Sequence, residues 1–213
     1  MTTAKKNTPK VWDTPFLGKT ENMKDLNFKI EGERMAYLDK FYLYQPVTRD
    51  EAPDYIFFTY KSPERYKSNL PDIFKITGGI VIISEYFYNL LQKFDLGETK
   101  LFEVPLYECD QTTRRPERYF ILHLVASKTC FLPEHSKNVE EINNAGVWRR
   151  NNLLEGEDTL AVSLDALEGV DLWVDPAINR RIFFSDRLKI AIKEYEIRAT
   201  RMKIRPVKVI EQC

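Results

Sequence analysis

Apolar residues in this chain fall into short blocks, and twice the spacing changes from strand-like to helix-like in the same order. Val81-Ile82-Ile83 is followed by Ser84 and Glu85, then by Phe87, Leu90, Leu91 and Phe94. Ile182-Phe183-Phe184 is followed by Ser185 and Asp186, then by Leu188, Ala191, Ile192 and Tyr195. Ser84 aligns with Ser185 and Pro105 with Pro206 at a constant offset of 101 residues. The triplets are β-branched or aromatic and suit a buried strand. Each serine can accept from a free N–H at a helix start, and the acid after it favours the positive end of the helix dipole. Offsets of 0, 3, 4 and 7 put four side chains on one helix face. A second β-prone segment closes each unit, so two similar strand–helix–strand units are expected over 81–107 and 182–208. Gly97 is expected to end the first helix, where the second copy has Arg198. Pro105 and Pro206 each lack a ladder donor, which places their strands at an edge or an end there. Met202 and Ile204 fall on the opposite alternation phase from Phe102 and Val104.

Further blocks fill in the chain. Tyr55–Tyr60 and Tyr119–Val125 read as strands, Leu160–Leu164 and Leu172–Val174 as short ones. Met35–Tyr44 carries alternating and aromatic positions. Lys61–Pro71 and Leu153–Asp158 read as a loop and a turn, and a short helix is expected over 139–143. Mixed strands and short helices in this order give an α+β class with mixed or antiparallel sheets. Residues 1–10 are polar and expected to be disordered. Residues 11–70 are expected to form an N-terminal β-rich lobe, and 71–213 the remaining α+β domain.

Composition narrows the function classes. The chain has 213 residues, 32 basic and 32 acidic, a net charge of +0 and 8 glycines. A balanced charge gives no reason to expect nucleic acid as the main partner, and scarce glycine argues against a phosphate-cradling loop. Three widely spaced cysteines, Cys109, Cys130 and Cys213, form neither a disulfide framework nor a zinc pattern. MTTAKKNTPK lacks the apolar core of a signal peptide, and no stretch is long enough to span a membrane. A cytoplasmic protein without a cofactor or metal is expected.

Candidate chemistry is sparse. His123 lies in the apolar run YFILHLV and reads as a core histidine. Cys130 could serve as a nucleophile with His123 or His135 as base, but no local signature supports the pairing. Glu155, Glu157 and Asp158 surround Gly156 and form a candidate acidic patch for a basic partner. Arg198, Arg201, Lys203, Arg205 and Lys208 read either as a charge-protected edge strand or as a phosphate-contacting one. Arg114, Arg115, Arg118, Arg149 and Arg150 add local positive charge. Trp12, Trp148 and Trp173 could be interface anchors or buried residues.

The run FKITGGIVIISEYFYNLLQKFDLGETKLFEVPLY, then RYFILHLV, then LWVDPAINRRIFFSDRLKIAIKEYEI, resembles the immunity protein 11 family, formerly a domain of unknown function. The resemblance covers about residues 54–210. Where the family often closes with a glycine-rich step, this chain has Arg198-Ala199-Thr200. The resemblance implies an immunity protein of a bacterial polymorphic toxin system, which binds and neutralises a cognate toxin. It implies no catalytic residues, because the matching positions read as core and helix caps. Two other readings stay open: a small enzyme built on Cys130 and a histidine, and a nucleic-acid-binding module using the C-terminal basic strand. Oligomeric state is not legible.

Overall fold

The computed structural model describes residues 10–61, 64, 69–142, 144–150, 159–200 and 202–211. Six strands form one sheet. They are β2 (Leu26–Lys29), β3 (Tyr55–Phe58), β4 (Ile73–Lys75), β5 (Val81–Ser84), β6 (Lys100–Tyr107) and β7 (Arg114–His123), in the order β2-β3-β6-β7-β5-β4. Five form a second sheet. They are β1 (Val11–Thr14), β10 (Ala161–Ser163), β11 (Leu172–Trp173), β12 (Ile182–Ser185) and β13 (Arg205–Ile210), in the order β10-β13-β1-β12-β11. Strands β8 (Val139–Ile142) and β9 (Val147–Arg150) make a separate hairpin. The described helices are α1 (Arg34–Tyr42), α2 (Glu85–Leu91) and α3 (Asp186–Glu194). The α+β class with short helices is what the sequence implied.

The two repeat units occupy the same place in their two sheets. In the first sheet β7 lies between β5 and β6, antiparallel to both, and β3 joins β6 in parallel. In the second sheet β1 lies between β12 and β13, antiparallel to both, and β10 joins β13 in parallel. Strand β4 flanks β5 as β11 flanks β12, both antiparallel. Five strands thus correspond one to one. Only the chain order differs: β7 follows β6, whereas its counterpart β1 comes from the other end of the chain. The second unit is a circular permutation of the first. The segment 11–70 expected as a lobe is accordingly shared, with β1 in one sheet and β2 and β3 in the other.

The local rules act as expected at the helix starts. Ser84 Oγ accepts from the Phe87 N–H and Ser185 Oγ from the Leu188 N–H, each at 3.2 Å. Phe87, Leu90 and Leu91 are buried, as are Leu188, Ala191 and Ile192. Tyr195 departs from its stripe. It lies just beyond α3 and is 36% exposed, with its hydroxyl bonded to the Lys93 ammonium at 2.8 Å. Gly97 does not end α2, which stops at Leu91 with Gln92 as its cap. Gly97 instead sits at φ +55° where a Cβ would come within 2.8 Å of Val170, so it permits a close approach between the two halves.

The prolines are also placed differently from expectation. Strands β6 and β13 are each flanked on both sides. Pro105 and Pro206, however, stand just before Leu106 and Lys208, where the parallel neighbour begins to pair. The missing donor falls at a level where only one neighbour is paired. Because β13 is internal, the reading of its basic residues as edge protection is also overturned. The expected helix over 139–143 is a strand in its described part: β8 pairs with β9 through Glu141↔Trp148 and Ile142↔Val147. Asn144 and Gly146 at positive φ close that turn, and its β-branched ends favour extension over helix. The loop and turn expected at 61–71 and 153–158 lie largely or wholly outside the described residues.

A main core joins both units. It includes Ile82 and Phe87 of the first and Phe184, Leu188 and Ile192 of the second. A smaller core covers the opposite face of the second sheet, with Phe183 and Trp173 stacked at 5.7 Å. Successive β12 residues point to opposite faces, so this sheet is covered on both sides.

Two buried aspartates tie the units together reciprocally. Asp72, just before β4, accepts from Ser84 Oγ at 2.9 Å and from the Arg198 N–H at 2.8 Å. Asp171, just before β11, accepts from Ser185 Oγ at 2.5 Å and from the Asp95 N–H at 2.8 Å. The Asp72 N–H donates to the Arg198 carbonyl and the Asp171 N–H to the Asp95 carbonyl, each at 2.7 Å. Each aspartate therefore fixes its own unit's helix start and the chain leaving the other unit's helix.

Candidate functional site

The residues singled out for chemistry do not assemble into one site. His123 is fully buried, its Nε2 2.7 Å from the Gln45 carbonyl oxygen, and burial holds its pKa below the usual histidine value. Tyr37, Phe41 and Phe102 surround its ring. Cys130 is buried among the smaller core. Burial, with Asp175 beside it, pushes the thiol up to about 12. A thiol held protonated is a poor nucleophile. His135 lies in a half-exposed turn, near Glu134 at 3.8 Å.

Four of the basic candidates are neutralised locally. Arg115 binds Glu64, Glu108 and Glu117, and Arg118 binds Glu103 and Glu85. Arg149 binds Glu140, and Arg198 reaches Asp72. Trp173 is fully buried beneath the Lys128 ammonium, 3.7 Å from its ring centroid. Trp12 is half-buried, its indole N–H donating to Asp186 at 2.7 Å with Lys189 over the ring. Trp148 is half-buried on the β8–β9 hairpin. Glu155, Glu157 and Asp158 lie outside the described residues, as does Arg201.

A basic concavity was missed by sequence reasoning. A cavity of about 440 Å³ opens where the two sheets meet, walled by Leu17, Phe41, Tyr42, Tyr44 and Leu124, with Lys75 and Arg180 as its charges. A second of about 410 Å³ adjoins it, sharing Asn179 and Arg180 and adding Lys19, Arg149, Arg150 and Arg181. Neither has an acidic residue in its lining among the described residues. Lys75 is 5% exposed, and its ammonium donates to the Leu17 carbonyl at 2.7 Å. Burial and then the nearby Arg180 lower its pKa, with Glu21 opposing. Deeper in the wall, Arg181 and Asp13 form a buried pair at 2.5 Å. Two non-glycine residues at the mouth, Tyr44 and Arg180, adopt φ of 55° and 57°, a conformation side chains other than glycine seldom take. The lining comes from six separate stretches of chain, so no spacing could have revealed it.

Comparison with protein families matches residues 18–209 to an immunity protein family, Imm11. The chain belongs to the Imm11 immunity protein family. The match spans both repeat units and all of the cleft's lining residues except Pro15 and Leu17. No curated protein matches the chain. Among the described residues of this Imm11 protein, no group of three or more His, Cys, Asp or Glu side chains is placed to hold a metal ion. No described helix is long and apolar enough to cross a membrane.

Proposed function

We propose that this protein binds a cognate toxin and neutralises it by direct contact, covering the toxin's working surface or fixing an inactive conformation. Membership of an immunity protein family over residues 18–209 carries this reading. The cross-tied pair of sheets suits a binder that meets its target without reorganising, since less ordering cost is incurred on association. A stable complex of this kind buries on the order of 1,600 Å² in total. The cytoplasm is the compartment proposed, one in which the free thiols of Cys109 and Cys130 persist. Glu155, Glu157 and Asp158 are proposed as a contact for a basic toxin surface, acting chiefly on association rate.

The test is co-expression with the toxin encoded beside it. The expected result is survival of the host and a stoichiometric complex on purification. Charge reversal at Glu155, Glu157 and Asp158 together is expected to slow association while leaving the fold intact. Failure to protect, or a reproducible turnover by the isolated chain, would overturn the proposal.

A further inference from the structure

The seam cleft concentrates positive charge in a molecule whose total charge is zero. Six basic residues and no acidic one line the two adjoining cavities among the described residues. Three of the six are tied to acids or to other groups: Arg149 to Glu140, Arg181 to Asp13, and Arg150 within its own surroundings. The other three differ. Lys75 donates to the Leu17 carbonyl and has Glu21 near enough to act on its charge without an ion pair, while the side chains of Lys19 and Arg180 make no ion pair or hydrogen bond among the described residues. Like charges held close raise the energy of the unliganded protein, and an anion between them relieves it.

The rest of the lining has another character. Phe41, Tyr42 and Tyr44 present aromatic surface. The Tyr42 hydroxyl donates to the Gly78 carbonyl at 2.8 Å, which fixes the ring's direction. A volume of about 440 Å³ is within the range of small-ligand pockets, and such pockets favour the junctions between structural units. More than one cation faces the space, which matches a multiply charged phosphate better than a single carboxylate.

We propose that this cleft binds a nucleotide, with the phosphates held by Arg180, Lys75 and Lys19 and the base lying against Tyr42 and Tyr44. Guanidinium geometry suits phosphate oxygens, and aromatic side chains accept the face of any base. The two left-handed residues, Tyr44 and Arg180, line the same cavity. Strained backbone of this kind accumulates where a ligand must be met in one geometry. The proposal does not depend on the toxin-binding reading, since it concerns the isolated chain.

The experiment is calorimetric titration of the full-length protein with ADP, adenosine and inorganic pyrophosphate in separate runs at low salt. ADP is expected to bind more tightly than either of its parts. Arg180 is exposed, so Arg180→Glu should fold normally and weaken ADP by about tenfold or more. Tyr42→Ala should weaken ADP and leave pyrophosphate unchanged. No binding of ADP to the wild-type chain overturns the proposal, and so does an unchanged affinity in Arg180→Glu. Pyrophosphate binding as tightly as ADP overturns the role of the aromatic wall. If Arg180→Glu loses the toxin while the wild type binds no ADP, the cleft is a protein contact instead and the nucleotide proposal falls.

Discussion

At the scale of single residues, Asp171 carries the most. It is 1% exposed at its side chain, while its partner Arg187 is 64% exposed. Burial alone would raise its pKa. The bonds from Arg187, Ser185 and the Asp95 N–H outweigh that and hold it below the usual aspartate value. Asp171→Ala leaves the Asp95 N–H and the Ser185 hydroxyl without their acceptor and is expected to cost about 2–4 kcal/mol. Arg187→Ala removes a solvated charge and should cost under about 1 kcal/mol. Urea unfolding of the two variants distinguishes them. A depressed folded pKa also sets a pH dependence. The contribution is complete above the unfolded value of about 3.9 and is lost as pH falls through the lower folded value. Wild type should therefore lose stability below about pH 4 more steeply than Asp171→Asn. Cys130 gives a second residue-scale test. With its thiol pushed up to about 12 and the side chain buried, native protein at pH 8 should resist alkylation there. The same cysteine should react once the chain is unfolded in denaturant, and labelling followed by mass spectrometry reads both states.

At the scale of elements, the paired helices are equivalent in what they bury. Phe87→Asp and Leu188→Asp each place a carboxylate in the shared core and should each cost about 3–5 kcal/mol. Tyr195→Asp, at the exposed end of the second stripe, should cost under about 1 kcal/mol. Thermal denaturation of the three variants is the check, and tolerance of either core change would refute the assigned helix faces. These elements were readable because their determinants are local: a capping serine, an acid after it, and apolar residues at helical spacing. The aspartates were not readable, because Asp72 and Asp171 look like ordinary loop residues until their distant partners are known. The helix expected over 139–143 gives way to β8 because a run of polar and acidic residues hides strand pairing that only its partner reveals. The seam cleft was invisible for the same reason, since Lys19, Tyr42, Lys75 and Arg180 share no local pattern.

At the scale of the whole molecule, the permuted duplication makes a direct prediction. Val11 of β1 pairs with Val207 of β13 in an antiparallel register, so Ile210 and Val11 can be joined by a short linker like the β6–β7 turn. A chain rearranged to begin at Pro15 and to carry β1 after β13 should fold, with the same circular dichroism spectrum as the parent. It should also unfold in a single transition, because each aspartate clasp spans both units and neither can open alone. Two transitions, or a failure to fold with a linker of any length, would count against the correspondence of β1 with β7.

The position of β1 also sets a timetable for biosynthesis. Trp12 and Asp186, which meet across this sheet, are 174 positions apart. Ribosomes add about 5–20 residues per second, so once made this strand waits on the order of ten seconds for both of its neighbours. The six-stranded sheet needs nothing encoded after β7 for its own pairing and can assemble meanwhile. The five-stranded sheet closes only when β13 arrives, leaving its central strand a target for chaperones until then.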